Sequence, residues 1–278
     1  MKVIALTTAI AVLLSASACQ RAADAEPSRV HAEPAVAPPV EQPPSPSPFP
    51  NLQAELLDDR HKTTKSPLGS FDFKNFTYPL PRGWQNPDGT DLTLTDGKRL
   101  PVSKFIDEDM ADEEKMEARA TRRIGMSYVT TKYVDLTGDG QDEAIVILKV
   151  ETTGNAIPQL VYVYEWKDGA PSLVWNFRTG DRADGGLKDI RAENGEALVE
   201  LYGQDRFLIG ETETNKITGD EEQLCCPTHF TRTSYKWNGR NFTLQGKRLT
   251  YEVANASASP LENYGDVVNN KAVPKQKR

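Results

Sequence analysis

The residues with the clearest chemical potential form one run, Tyr133-Val134-Asp135-Leu136-Thr137-Gly138-Asp139-Gly140-Gln141-Asp142-Glu143-Ala144. Oxygen-bearing side chains fall on loop positions 1, 3, 5 and 9, which are Asp135, Thr137, Asp139 and Glu143. Gly140, at position 6, allows a sharp turn that aims the carbonyl of Gln141 inward. Calcium takes six to eight hard oxygens at about 2.3–2.6 Å, and alternating carboxylates on a tight loop can wrap them around one point. The glutamate that an EF-hand needs at position 12 is replaced by Val146, so this is not an EF-hand. A second reading stays open, in which the Asp and Thr side chains simply cap their own backbone within a hairpin connection.

Sulfur chemistry is confined to Cys225 and Cys226 once Cys19 is set aside. In an oxidising compartment leftover thiols tend to pair. Adjacent cysteines can do so only through a strained eight-membered ring, which is easily reduced. Buried thiols or an intermolecular bridge are the alternatives. His229 lies close enough in sequence to suggest zinc or a thiolate–histidine nucleophile, but each would need further groups from elsewhere. The best carboxylate pair is Asp181 with Asp184, in Gly180-Asp181-Arg182-Ala183-Asp184-Gly185-Gly186, a stretch that also reads as a polar turn. With only three histidines and no GxSxG, HExxH, Walker A or dinucleotide fingerprint, most acid–base and nucleotide chemistry has no foothold. Two carboxylates alone could still serve a glycosidase, so Asp181, Asp184 and His229 remain a weak alternative site.

The elements that must carry these residues begin behind an export signal. Lys2 precedes an apolar run from Val3 to Leu14, too short to span a bilayer, and Ser15-Ala16-Ser17-Ala18 offers small residues for cleavage. Cys19 follows at once in a pattern that resembles a bacterial lipobox, with Ala16 where leucine is usual. That resemblance implies lipid on Cys19 and attachment to a membrane. Plain cleavage after Ala18 or after Ala25 is the alternative. By analogy with enterobacterial sorting, Gln20 rather than Asp points to the outer membrane, so the expected location is the cell envelope, as an outer-membrane lipoprotein or a periplasmic protein. Residues 19–50 are a proline-rich linker suited to extended, solvated chain. Residues 51–70 read as a transition, 71–253 as the globular domain and 254–278 as a loose tail. The net charge of −7 argues against nucleic acid as a partner.

Within the domain, short aromatic and β-branched runs are joined by Asp-Gly or Asn-Gly pairs, the strongest local hairpin signal. Two-residue turns at Asp168-Gly169, Asn194-Gly195 and Asn238-Gly239 fix three registers. The first pairs Tyr164 with Leu173, Tyr162 with Trp175 and Leu160 with Phe177, all on one face. The second pairs Ile190 with Val199 and Ala192 with Ala197, and sets Glu193 against Glu196. The third pairs Tyr235 with Phe242 and Thr233 with Leu244. Asp96-Gly97 closes a fourth hairpin between residues 92–94 and 99–100. One surface helix is expected near Asp107 to Arg123, acidic first and basic last, as its dipole favours, with Met110, Met116 and Ala120 as a thin apolar stripe. The fold class is therefore mainly β: an antiparallel hairpin meander, as a sandwich or open barrel, with at most one or two short helices and disordered terminal segments.

The loop resembles the DxTGDGxxE loops of FG-GAP and VCBS repeat proteins, which join strands in extracellular β-proteins and often hold calcium. The segment from Cys225 to Gly239, CCPTHFTRTSYKWNG, resembles the corresponding block of mycobacterial LppP/LprE-type lipoproteins. These resemblances imply secretion and a β-rich domain, and carry no activity with them. The expected function is a non-enzymatic, lipid-anchored envelope module with a calcium-stabilised β-domain that binds a protein or polysaccharide. The alternative is an envelope hydrolase acting on glycans or peptides.

Overall fold

The computed structural model describes residues 54–82, 84, 86, 89–104, 106–151, 158–181, 184–213 and 226–262. Cys19, Cys225, the signal and linker, and residues 263–278 lie outside them. The fold is mainly β, as expected. The strands are β1 (Thr77–Pro79), β2 (Asp91–Thr93), β3 (Lys98–Arg99), β4 (Gly125–Val134), β5 (Glu143–Glu151), β6 (Gln159–Lys167) and β7 (Ala170–Arg178). They continue as β8 (Leu187–Glu193), β9 (Glu196–Tyr202), β10 (Leu208–Ile209), β11 (Thr212–Glu213), β12 (His229–Trp237), β13 (Phe242–Glu252) and β14 (Leu261–Glu262). Helices are short: α1 (Ala54–Leu57), a 3-10 turn at Pro67–Ser70 and α2 (Asp112–Ala120). No described helix is long and apolar enough to cross a membrane.

Two open sheets and a small ribbon make up the layers. The larger sheet runs β10-β11-β7-β6-β5-β4-β3, the smaller β14-β13-β12-β9-β8, and β1 pairs with β2. All pairings are antiparallel except β11 with β7, which makes the larger sheet mixed. Its central strands β5 and β6 are buried on both faces, so they read as continuous apolar runs rather than alternating ones. Toward the smaller sheet, Ile145, Ile147, Val161, Val163 and Phe177 pack with Ile190, Val199, Leu201 and Tyr235. On the other face, Val146, Leu148, Leu160, Tyr162 and Tyr164 meet Leu68, Phe73, Tyr78, Leu92 and Leu94. Leu56 and Leu68 are fully buried, so the core begins upstream of Phe71.

The registers bear out some hairpin expectations and correct others. Asn194-Gly195 forms the expected turn, with Ile190 opposite Val199 and Glu193 opposite Glu196. Arg191 lies 3.6 Å from Glu193 and offsets the like-charge pair. At Asp168-Gly169, Tyr164 does face Leu173, but a bulge at Val174 then sets Trp175 opposite Val163 and Phe177 opposite Val161. The six residues expected on one face are thereby split: Trp175 and Phe177 turn toward the smaller sheet, away from Leu160, Tyr162 and Tyr164. The cause is tertiary, because the Trp175 ring packs 4.5 Å from Phe242 and 5.3 Å from Tyr235 across the sandwich. The Asn238 connection is four residues long, so Trp237 faces Phe242 and Tyr235 faces Leu244, a slip of two that keeps each side chain on its expected face. Asp96-Gly97 turns as expected, with Thr95 bridged to Lys98, yet its arms then part into different sheets.

α2 is shorter than the Asp107–Arg123 reading. It starts at Asp112 without a side-chain cap, and its buried residue is Ala118, whereas Met116 is exposed.

Candidate metal loop and ligand groove

The loop at Asp135–Asp142 joins β4 to β5, the two longest-paired strands of the larger sheet. Leu136 is buried in the core, which ties the loop down at its start. Gly138 and Gly140 adopt φ of 78° and 87°, a left-handed conformation that side-chain-bearing residues resist, and this lets the chain coil back on itself. Asp135 accepts from the amides of Gly138 (2.7 Å) and Gly140 (2.9 Å), and Asp139 accepts from Gln141 (2.8 Å). Glu143 is buried and accepts from the amides of Leu136 (2.7 Å) and Thr137 (3.1 Å) and from the Thr137 hydroxyl (3.0 Å).

This geometry brings three of the five candidate ligands together. One carboxylate oxygen from each of Asp135, Asp139 and Glu143 lies within 4.8 Å of the others. Thr137 joins them through its bond to Glu143, and Gln141 through its amide on Asp139. Among the described residues no lysine or arginine forms an ion pair with these three carboxylates. Burial pushes the Glu143 carboxyl up to about 7; the donated hydrogen bonds pull it back, and the Asp139 charge adds to the rise. A hard, oxygen-preferring cation fits such a donor set. The Asp135 and Asp139 oxygens that hold one N–H each, and the Glu143 oxygen that holds the Thr137 hydroxyl, keep a second lone pair for a metal; the other Glu143 oxygen already accepts from two amides. The same hydrogen bonds also satisfy the self-capping reading, so both descriptions hold for the loop as it stands.

The weaker candidates lie in the connection from β7 to β8 and at the start of β12 in the smaller sheet. Asp181 bridges to Asp184, whose amide donates to the Asp181 carbonyl at 3.1 Å. The Asp184 carboxylate is gripped by Arg206 at 2.5 Å and 3.1 Å. His229 opens β12, with its Nδ1 3.2 Å from the Gln204 amide nitrogen and 2.8 Å from the Thr228 hydroxyl. Asp181, but neither Asp184 nor His229, lines a cavity of about 360 Å³ with Trp84, Pro158, Arg178, Thr179, Gly180, Thr212 and Glu213.

Glu213, which sequence reasoning passed over, is the most perturbed group in that cavity. Arg206 reaches it at 2.6 Å, yet burial still drives its carboxyl to about 7, with Asp184 adding to the rise. Gly185 leaves it room: a Cβ there would sit 2.8 Å from the Glu213 carboxyl carbon. Only a strand pairing β11 beside β7 brings Glu213 next to Gly180 and Asp181, so no local spacing could have announced it. Cys226 is half-buried just before β12; its neighbour lies outside the described residues.

No family model matches the chain, and neither a curated protein nor a solved structure shows significant similarity to it.

Proposed function

We propose that this protein is a non-enzymatic cell-envelope module, held to a membrane by lipid on Cys19, whose calcium-stabilised β-domain binds a protein or polysaccharide. The observation that carries the reading is the convergence of Asp135, Asp139 and Glu143 on the loop between β4 and β5. A bound divalent cation there would neutralise carboxylates otherwise crowded at the edge of the core and would lock β4 and β5 together. The export signal, the small residues before Cys19 and the proline-rich spacer support the location. The resemblances to FG-GAP and VCBS loops and to LppP/LprE-type lipoproteins point the same way. Thermal unfolding in calcium, magnesium or EGTA tests the reading. Calcium should raise the midpoint and EGTA should lower it, with magnesium far less effective. Identical midpoints in all three would overturn it.

The hydrolase alternative has one observation in its favour, the pairing of Asp181 with a near-neutral Glu213 carboxyl in a single cavity. Release of reducing ends or peptides from envelope polymer, abolished by Glu213→Gln, would establish it.

A further inference from the structure

Two cavities meet at Trp84, and the second is the larger, at about 970 Å³. Trp84 and Pro158 line both, so the two form one groove across the end of the larger sheet where β5 and β7 finish and β6 begins. The calcium loop lies at the opposite end of β5, roughly 25 Å away at about 3.3 Å per residue. The groove is therefore a separate feature from the metal loop.

Its two ends differ in chemistry. At the larger cavity, Arg119 and Arg122 are exposed at the end of α2, with Arg123 half-buried beside them; among the described residues the one carboxylate on its wall, Glu151, is paired with Lys149 at 3.3 Å. Arg119 also suits the helix dipole, but Arg122 and Arg123 lie beyond the helix. At the smaller cavity the lining groups Asp181 and Glu213 are hydrogen-bond acceptors, with Arg178 held 5.7 Å from the Trp84 ring. Asn86 lines the larger cavity. Both atoms of its carboxamide are buried, and among the described residues neither finds a hydrogen-bond partner. A buried carboxamide left unsatisfied is costly, and native proteins keep few such groups without a use.

We infer that this groove binds an acidic sugar, a chain of pyranose units carrying carboxylates. The Asn86 carboxamide is closed to solvent; turned outward about its side-chain torsions it would offer one acceptor beside one donor, which matches the paired hydroxyls on adjacent sugar carbons. An indole with neighbouring prolines and Val102, Ile124 and Val150 supplies an apolar wall for the C–H face of the ring. The arginines at the α2 end take the carboxylates in fork geometry, and Asp181 with Glu213 accept from hydroxyls at the other end. An acidic peptide would satisfy the arginines but brings few hydroxyls for the acceptors. The inference deepens the envelope-binding reading by naming its partner class, and rests on it for the setting.

The test is titration of the full domain with a hyaluronan hexasaccharide, followed by tryptophan fluorescence and calorimetry, beside chitohexaose and polyglutamate. The acidic hexasaccharide should bind at least tenfold more tightly than either comparator. The double variant Arg119→Ala/Arg122→Ala should weaken it at least tenfold without moving the thermal midpoint, because both side chains are exposed. Asn86→Ala should weaken it comparably while leaving the midpoint unchanged or higher, the opposite of what a purely structural role would give. Equal binding of chitohexaose, preference for polyglutamate, or indifference to these substitutions would overturn the inference. If no probe binds while calcium still raises the midpoint, the groove assignment falls and the calcium-stabilised module stands.

Discussion

Replacing Glu143 by Gln separates a calcium site from a self-capped hairpin. At about pH 8 the carboxylate is ionised, buried and close to two others. Its rise from an ordinary 4.5 to about 7 corresponds to roughly 3 kcal/mol at about 1.4 kcal/mol per pH unit. Gln has nearly the same shape: its oxygen can still accept from the Leu136 and Thr137 amides, and its nitrogen can donate to the Thr137 hydroxyl. Without calcium the variant should therefore be more stable than wild type, by on the order of 1–3 kcal/mol. Calcium at a hundred times its dissociation constant adds about 2.7 kcal/mol to the wild type, which for a domain of this size raises the midpoint by about 5–10 °C. The variant, lacking one anionic ligand, should gain little, so the gap between the two midpoints in EGTA closes or inverts in calcium. Scanning fluorimetry of both proteins in both buffers reads this directly. Equal calcium shifts, or a Glu143→Gln protein that is weaker in EGTA, would show that the carboxylate serves only as a cap.

Other perturbations follow from the same geometry. Lys132 on β4 and Asp189 on β8 form a buried ion pair at 3.0 Å that ties the two sheets together. Lys132→Met leaves Asp189 charged in the core with only Arg191 to answer it, and should cost about 3–5 kcal/mol by urea denaturation. Asp189→Asn removes the carboxylate that meets the lysine at 3.0 Å and should also destabilise the fold. Because the folded-state carboxyl of Glu213 lies above its unfolded value, the native form binds the proton more tightly. Its contribution to stability is full below about pH 4.5 and is lost as pH rises through about 7. Glu213→Gln should flatten that part of the stability–pH curve, measured in EGTA. Cys19→Ala should move the protein from the membrane to the soluble fraction and abolish labelling by a palmitate analogue. Retention of label would place the lipid elsewhere.

How far the chain could be read before folding depends on whether a feature is decided within a few residues. A two-residue hairpin turn of the favoured type needs positive φ at both central positions. Asp96-Gly97, Asp168-Gly169 and Asn194-Gly195 meet this, with φ of 51° and 76°, 51° and 82°, and 54° and 77°. All three turn where local chemistry says they must. At Asn238-Gly239 only the glycine is left-handed, at 90°, and the Asn238 carboxamide instead accepts from the amides of Arg240 and Asn241, drawing the connection out to four residues. The dipeptide was legible there; the side-chain bond that overrode it was not. The bulge at Val174 is further from reach, since it exists to aim Trp175 and Phe177 at a sheet that the chain has yet to make. The same division runs through the functional residues. Asp135, Asp139 and Glu143 lie within nine residues on one loop, so their spacing already implies convergence. Trp84, Asn86, Arg122 and Glu213 come from the β1–β2 connection, the segment after α2, and a short parallel strand, and only the finished sandwich brings them to one groove. Chemistry held by a loop can be read along the chain; chemistry assembled at a sheet end waits on topology.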